Sequence, residues 1–173
     1  MRLAIFSWIF TVMCSGLVLA DSEPENTDPG VGKSYGDWTE FCETTGNGGK
    51  ICNISQTLTR QGSQQLLLSI RINYVPGKKQ PIVFATLPLG GLLTSAPILK
   101  VGTVAPFEMA YQFCDISGCT AVAVIDEQTL GALKRETQAV VQFVNIARKR
   151  IGIPVSLRGF SKGLKSLIEV EKK

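Results

Sequence analysis

The chain has 173 residues, 45% of them hydrophobic, with 18 Lys and Arg against 14 Asp and Glu and no histidine. A formal charge of +4 is too mild to argue for a nucleic-acid partner, and the missing imidazoles remove the commonest general base and the commonest metal ligand together. What remains is a scaffold long enough for one core, burying about two thirds of its extended-chain surface.

In chain order, residues 1–20 read as a signal peptide. Arg2 gives a positive start, Leu3 to Leu19 is almost wholly apolar, and Val18-Leu19-Ala20 supplies the small residues before a cleavage site at Asp21. A membrane anchor is the rival reading, but a spanning helix needs about 20 apolar residues, and Ser7, Ser15 and Gly16 interrupt this run. A lipoprotein at Cys14 is the other, and there Met13 is too large for the small-residue position. Cleavage leaves 153 residues with 17 basic and 14 acidic side chains, a net +3. No further apolar run reaches membrane-spanning length.

Residues 21–36 are rich in Asp, Glu, Pro, Gly and Asn and lack large apolar side chains until Tyr35. Such a composition does not offset the entropy of ordering and predicts a flexible leader. From there, a single domain is expected over 37–173. Its dominant signal has period two: Leu66, Leu68, Ile70, Ile72 and Tyr74 fall on one face, with Ser69, Arg71 and Asn73 on the other, as a half-buried strand requires. The same alternation recurs in Phe107, Met109, Tyr111 and Phe113, in Ala139, Val141 and Phe143, and in Ile151, Ile153, Val155 and Leu157. Turn residues at 46–49, 76–79, 115–118 and 147–152 separate the runs, which predicts about eight or nine strands. Two short helices are expected. Asp126 can cap a segment carrying Leu130 and Leu133, and Phe160, Leu164, Leu167 and Ile168 repeat at helical spacing. The predicted architecture is an all-β, antiparallel β-sandwich with helices as lids over its open ends.

Outside the expected signal peptide, four cysteines form two close pairs, Cys42 with Cys52 and Cys114 with Cys119, each flanking a predicted hairpin turn. Local disulfides follow naturally and point to an oxidising compartment, although four cysteines formally permit three connectivities. A four-thiolate zinc site is the alternative, but structural zinc ligands usually lie about two to four residues apart, and nine residues separate Cys42 from Cys52. No Cys-x-x-Cys motif suggests redox catalysis.

Other motif matches carry little. Gly32-Lys33-Ser34-Tyr35-Gly36 fits the nucleophile-elbow pattern, yet it follows the leader and has no histidine base. As a phosphate loop it lacks the first glycine, because Thr27 occupies that position. Asn53-Ile54-Ser55 is a glycosylation sequon in a predicted strand, relevant only in a eukaryotic secretory pathway. Asp37, Glu40, Glu43, Glu108, Asp115, Asp126 and Glu127 are scattered over several elements and read as solvated surface charges. No Ser-x-x-Lys occurs. The sequence therefore supports no catalytic residue, no metal ligand and no cofactor, and a non-enzymatic protein is expected. Arg148, Lys149 and Arg150 at a predicted hairpin tip, followed by Arg158, Lys162 and Lys165, make a candidate basic patch for anionic lipid headgroups, glycans or an acidic protein face. The plainer reading is a solvated tip that guards against edge aggregation.

The order of Gly36-Asp37-Trp38, the Cys42 and Cys52 pair, Leu87-Pro88-Leu89-Gly90, Pro106-Phe107, Cys114 with Gly118-Cys119, and the closing Ile153-Pro154-Val155-Ser156-Leu157-Arg158-Gly159-Phe160 resembles the invasion-associated locus B family over nearly all of the mature chain. The resemblance implies an exported bacterial protein with an immunoglobulin-like β-sandwich, associated in some pathogens with host-cell invasion, and brings no catalytic residues with it. The expected function is a non-enzymatic envelope module in the periplasm or at the outer surface, binding a protein or an anionic envelope or host surface. A periplasmic carrier or enzyme acting on a small apolar ligand between the sheets is the alternative, and an envelope housekeeping role is another. A filled core favours the first reading and a large internal cavity the second. Oligomeric state is not legible.

Overall fold

The computed structural model describes residues 32–44, 46, 49–75 and 77–171. The expected signal peptide, Cys14 and most of the expected leader lie outside these residues. Among the described residues eleven strands, more than the roughly eight or nine expected, and two helices follow in the order β1 (Lys33–Tyr35), β2 (Trp38–Thr44), β3 (Lys50–Thr59), β4 (Leu66–Tyr74), β5 (Pro81–Leu87), β6 (Ile98–Val101), β7 (Phe107–Glu108), β8 (Ala110–Asp115), β9 (Gly118–Val124), α1 (Glu127–Arg135), β10 (Gln138–Val144), β11 (Arg150–Ser156) and α2 (Phe160–Glu171). Two antiparallel sheets result, one of seven strands in the order β1-β2-β3-β4-β5-β9-β8 and one of four in the order β11-β10-β6-β7. The fold is the predicted immunoglobulin-like sandwich with two helices and two local disulfides.

Alternation decides which face is buried. Along β4 the side chains of Leu68, Ile70, Ile72 and Tyr74 are buried, and β5 contributes Val83, Ala85 and Leu87 to the same face. The four-stranded sheet answers with Leu99, Val101, Ala139, Val141, Ile153 and Val155. It covers only part of the larger sheet. Where it stops, α2 packs against β1, β2, β3 and β4, burying Phe160, Leu164 and Leu167. Trp38 on β2 meets Phe160 edge to face with ring centroids 5.2 Å apart, a favoured aromatic geometry. Helix α1 starts as the sequence predicts: the Asp126 carboxylate accepts from the Thr129 N–H at 2.7 Å and from its hydroxyl at 2.8 Å, satisfying an otherwise unpaired first-turn donor.

Three expectations need correction. The expected leader overlaps the fold, because Lys33–Tyr35 is β1 and pairs with β2 from Lys33–Glu40 to Tyr35–Trp38. The folded unit therefore includes residues before 37. Composition missed this because the strand is short and held largely by α2 and by backbone contacts. The alternating run Phe107 to Phe113 is two strands rather than one. β7 pairs with β6 in the small sheet, the chain crosses at buried Met109, and β8 pairs with β9 in the large sheet, with a register shift between Tyr111 and Phe113. That irregularity turns Phe113 outward, 55% exposed, as bulges do. Finally, the turn expected at 147–152 lies earlier. Asn145 closes it, donating from its N–H to the Lys149 carbonyl and accepting from the Lys149 N–H on its side-chain oxygen, with Arg148 at φ 57°. Gly152 belongs to β11 opposite Gln142.

Candidate functional site

The densest polar constellation among the described residues joins their first and last parts. Asp37 occupies the turn between β1 and β2, Ser156 ends β11, and Arg158 lies in the turn before α2. The Asp37 N–H donates to the Arg158 carbonyl at 3.0 Å. Its carboxylate receives Arg158 Nε at 3.1 Å on Oδ2 and Nη2 on Oδ1, while the Ser156 hydroxyl donates to Oδ2 at 2.6 Å. The guanidinium first, and then the hydroxyl, hold the Asp37 carboxyl at about 2, well below the usual carboxylate range. Bidentate pairing of this kind fixes geometry as well as charge.

Buried Gln56 on β3 extends the constellation between the sheets. Its amide nitrogen donates to the backbone carbonyls of Asp37 at 3.1 Å and Ser156 at 3.2 Å, and its oxygen accepts from the Ser156 N–H at 3.1 Å. The Trp38 indole N–H donates to the same Ser156 carbonyl at 2.9 Å. One amide thus satisfies three backbone groups that the sheets leave without partners, as buried polar groups require. Two glycines let the strands meet. At Gly36 (φ 59°) a Cβ would lie 2.6 Å from the Arg158 carbonyl oxygen, and at Gly159 (φ 89°) only 1.9 Å from that of Tyr35.

Beside this lies Glu40, which the sequence placed among the surface charges but which is 7% exposed. The correction follows from parity, since Glu40 is two residues from Trp38 and shares its inward face, and α2 closes over both. Its carboxylate accepts from the Tyr35 hydroxyl at 3.1 Å and from the Ser166 hydroxyl, 3.1 and 2.9 Å from its two oxygens. Burial, chiefly, pushes the Tyr35 hydroxyl above its ordinary pKa; Ser166 opposes the shift and Glu40 adds to it. Glu40, Cys42 and Cys52 form a grouping close enough to suggest a metal ion. Both sulfurs, however, are joined in the Cys42–Cys52 disulfide, so no thiolate is left to ligate, and the carboxylate already serves two hydroxyls. The second bridge joins Cys114 to Cys119. Each disulfide links directly opposed residues of a hairpin, Cys42 with Cys52 and Cys114 with Cys119, as the local-pair reading required.

The six candidate basic residues do not converge. Arg148 and Lys149 lie in the β10–β11 turn and Arg150 opens β11, whereas Arg158, Lys162 and Lys165 follow its far end. With a rise of about 3.4 Å per residue, β11 separates the two groups by roughly 20 Å. Arg158 is committed to Asp37, and Lys165 pairs with Glu169 at 3.9 Å on α2. Only the hairpin trio remains as a cluster. Sequence reasoning missed Gln56 and Ser166. Gln56 was within reach of the period-two rule, because it shares the parity of Ile54, whereas Ser166 carried no signal apart from its partner.

Gly36-Asp37-Trp38 and Ser156 to Phe160 are thus one interlocked site. A model of the Invasion associated locus B (IalB) protein family matches residues 38–168. The chain belongs to the IalB family. The IalB fold recurs in the crystal structure of invasion associated protein b from Bartonella henselae, with a TM-score of 0.72 and 22% identity over 82% of this chain and 97% of that one. A comparison with curated protein sequences finds no match. The family match opens at Trp38 and closes at Ile168, so its limits fall on β2 and α2, the two elements that the interlocked site holds together. No helix among the described residues is long and apolar enough to cross a membrane.

Proposed function

We propose that this IalB-family protein is an exported, non-enzymatic binding module of the bacterial envelope, acting by presenting surfaces rather than by turning over a substrate. The observation that carries the reading is the family match over residues 38–168, together with the two hairpin disulfides, which suit an oxidising compartment outside the cytoplasm. The polar constellation supports it as well. Its donors and acceptors are spent on one another and on backbone groups, an arrangement that rigidifies a scaffold and leaves no poised acid or base. Trp38, Ile54, Leu68, Leu87, Met109, Phe160 and Leu164 are fully buried, filling the interior that a carrier of apolar ligands would need open. A contribution to host-cell invasion would be a consequence of what the module binds. Mild cross-linking of intact envelope followed by capture of this protein tests the reading. A reproducible protein or lipid adduct is expected, and catalytic turnover of a small molecule by the purified chain would overturn it.

A further inference from the structure

Three connections meet at one end of the sandwich. Leu87 at the end of β5 is opposite Cys119, and the β8–β9 turn lies so close that a Cβ on Gly118 would sit 2.2 Å from the Leu87 carbonyl oxygen. Beyond β5, the Gly90 carbonyl accepts from the Ile146 N–H at 2.9 Å and the Leu92 N–H donates to Val144 at 2.7 Å. Gly91 and Asn145 form a bridge between the same segments. The β5–β6 loop therefore leaves the sheet beside the β8–β9 turn and is tied by backbone to the β10–β11 turn.

Large aliphatic side chains protrude from this end: Ile116 is 98% exposed, Ile146 75%, Leu89 61% and Leu93 54%. Scattered exposed leucines are ordinary. An isoleucine at the tip of a two-residue turn is not, because turns favour Gly, Asn, Asp and Ser. That turn is also held firmly, with the Cys114–Cys119 bridge at its base and the Ser117 N–H on the Asp115 carboxylate at 2.7 Å. Arg148 and Lys149 stand on the neighbouring turn that carries Ile146, and Arg150 opens the strand after it, none with a carboxylate partner among the described residues. Asp115, beside Ile116, is the acid among these tips.

We propose that this end of the sandwich docks on an anionic lipid surface, with Ile116, Ile146, Leu89 and Leu93 entering the interfacial layer and Arg148, Lys149 and Arg150 on the headgroups. The charge is complementary to such a surface, and stable peripheral binding needs two signals of this kind, apolar insertion and basic attraction. The chemistry favours lipid over protein. Protein hot spots are enriched in Trp, Tyr and Arg in well-packed pockets, whereas these tips are aliphatic and stand on separate turns, which a fluid bilayer accommodates. The proposal rests on the exported-module reading only for where such a surface is met.

Sedimentation of the purified oxidised chain with phosphatidylcholine vesicles, with and without phosphatidylglycerol, tests it. Binding is expected to the anionic vesicles and to weaken as salt rises. Changing Ile116→Asn with Ile146→Ser should weaken it roughly tenfold or more per side chain. Changing Arg148→Gln, Lys149→Gln and Arg150→Gln should weaken it about fivefold per charge at low salt, and all these variants should keep the parent's melting temperature. As an independent readout, an Ile116→Trp variant should show blue-shifted emission when anionic vesicles are added. No binding of the parent at low salt, unchanged binding of the isoleucine variant, or an unshifted tryptophan overturns the proposal. An envelope cross-link to a protein that is lost in the tip variants without any vesicle binding also overturns it, assigning these tips to a protein face. Because the vesicles contain no protein, their failure leaves the binding-module reading standing, and turnover of a small molecule would remove that reading without touching the vesicle result.

Discussion

Arg158 grips Asp37 with two arms of its guanidinium, each on a different carboxylate oxygen, and so ties the turn before β2 to the turn before α2. The grip has a pH signature. Asp37 is held at about 2, below its ordinary 3.8, so its contribution to stability is complete above the unfolded value and is lost as pH falls through the folded one. Urea midpoints measured from about pH 6 down to about pH 2 should show Asp37→Asn less stable than the parent, with the gap closing below about pH 4. A gap that stays constant to the lowest pH would mean that the ion pair contributes nothing to folding.

Gly159 should tolerate no side chain. Its φ of 89° already disfavours one, and a Cβ would lie 1.9 Å from the Tyr35 carbonyl oxygen. Gly62 offers a control, with φ 77° and nothing within 4 Å. Gly62→Ala should lose about 1–2 kcal/mol, the cost of a left-handed residue. Gly159→Ala should lose clearly more, because the backbones must also separate. Equal losses in chemical denaturation would show that the close approach imposes no constraint.

Both disulfides can be ranked by loop length. The pairs are separated by 10 and 5 positions, one doubling, which corresponds to about 0.6 kcal/mol of loop entropy. Replacing Cys42 and Cys52 by Ala should therefore cost more than replacing Cys114 and Cys119, each loss being of the order of 2–4 kcal/mol. Reversible unfolding of the two double variants checks the order. A reversed ranking would mean that packing around the sulfurs outweighs chain entropy.

Glu40 should act as an anchor for α2. Glu40→Ala leaves the half-buried hydroxyls of Tyr35 and Ser166 without their acceptor, at a cost for each below the roughly 1–3 kcal/mol of a fully buried group left unpaired. Glu40→Gln keeps an accepting oxygen and should cost less. Amide exchange should show protection lost first in α2 and β1 of the alanine variant. Uniform loss of protection would place Glu40 in the common core rather than in the helix attachment.

Period two revealed the sandwich because each inward face is apolar, but the pattern carries no information about which sheet a strand joins. Phe107, Met109, Tyr111 and Phe113 alternate without a break, yet the chain changes sheets at Met109 and slips register before Phe113. The disulfides were legible because hairpins bring near neighbours together. Glu40 and Gln56 were misread or passed over because an inward polar residue looks like a surface one until its partners are known. Those partners, Ser166 and Ser156, stand 126 and 100 positions further along. Basic residues at the two ends of β11 looked contiguous in sequence and are separated by the length of a strand.

The interlock between Gly36-Asp37-Trp38 and Ser156 to Phe160 also sets the order in which the molecule can be completed. A chain synthesised from its N-terminus presents Trp38 early, with neither Ser156 to receive its N–H nor Phe160 to cover its ring. The hairpins bearing the two cysteine pairs need only local contacts and can be oxidised while the rest is still emerging. Closure must wait for Ser156 to Phe160, since pairings this distant in sequence form late and slowly. Until then Trp38, Glu40 and Gln56 stay open to water, and a chain truncated before Ser156 would remain a set of stapled hairpins with an unfinished core.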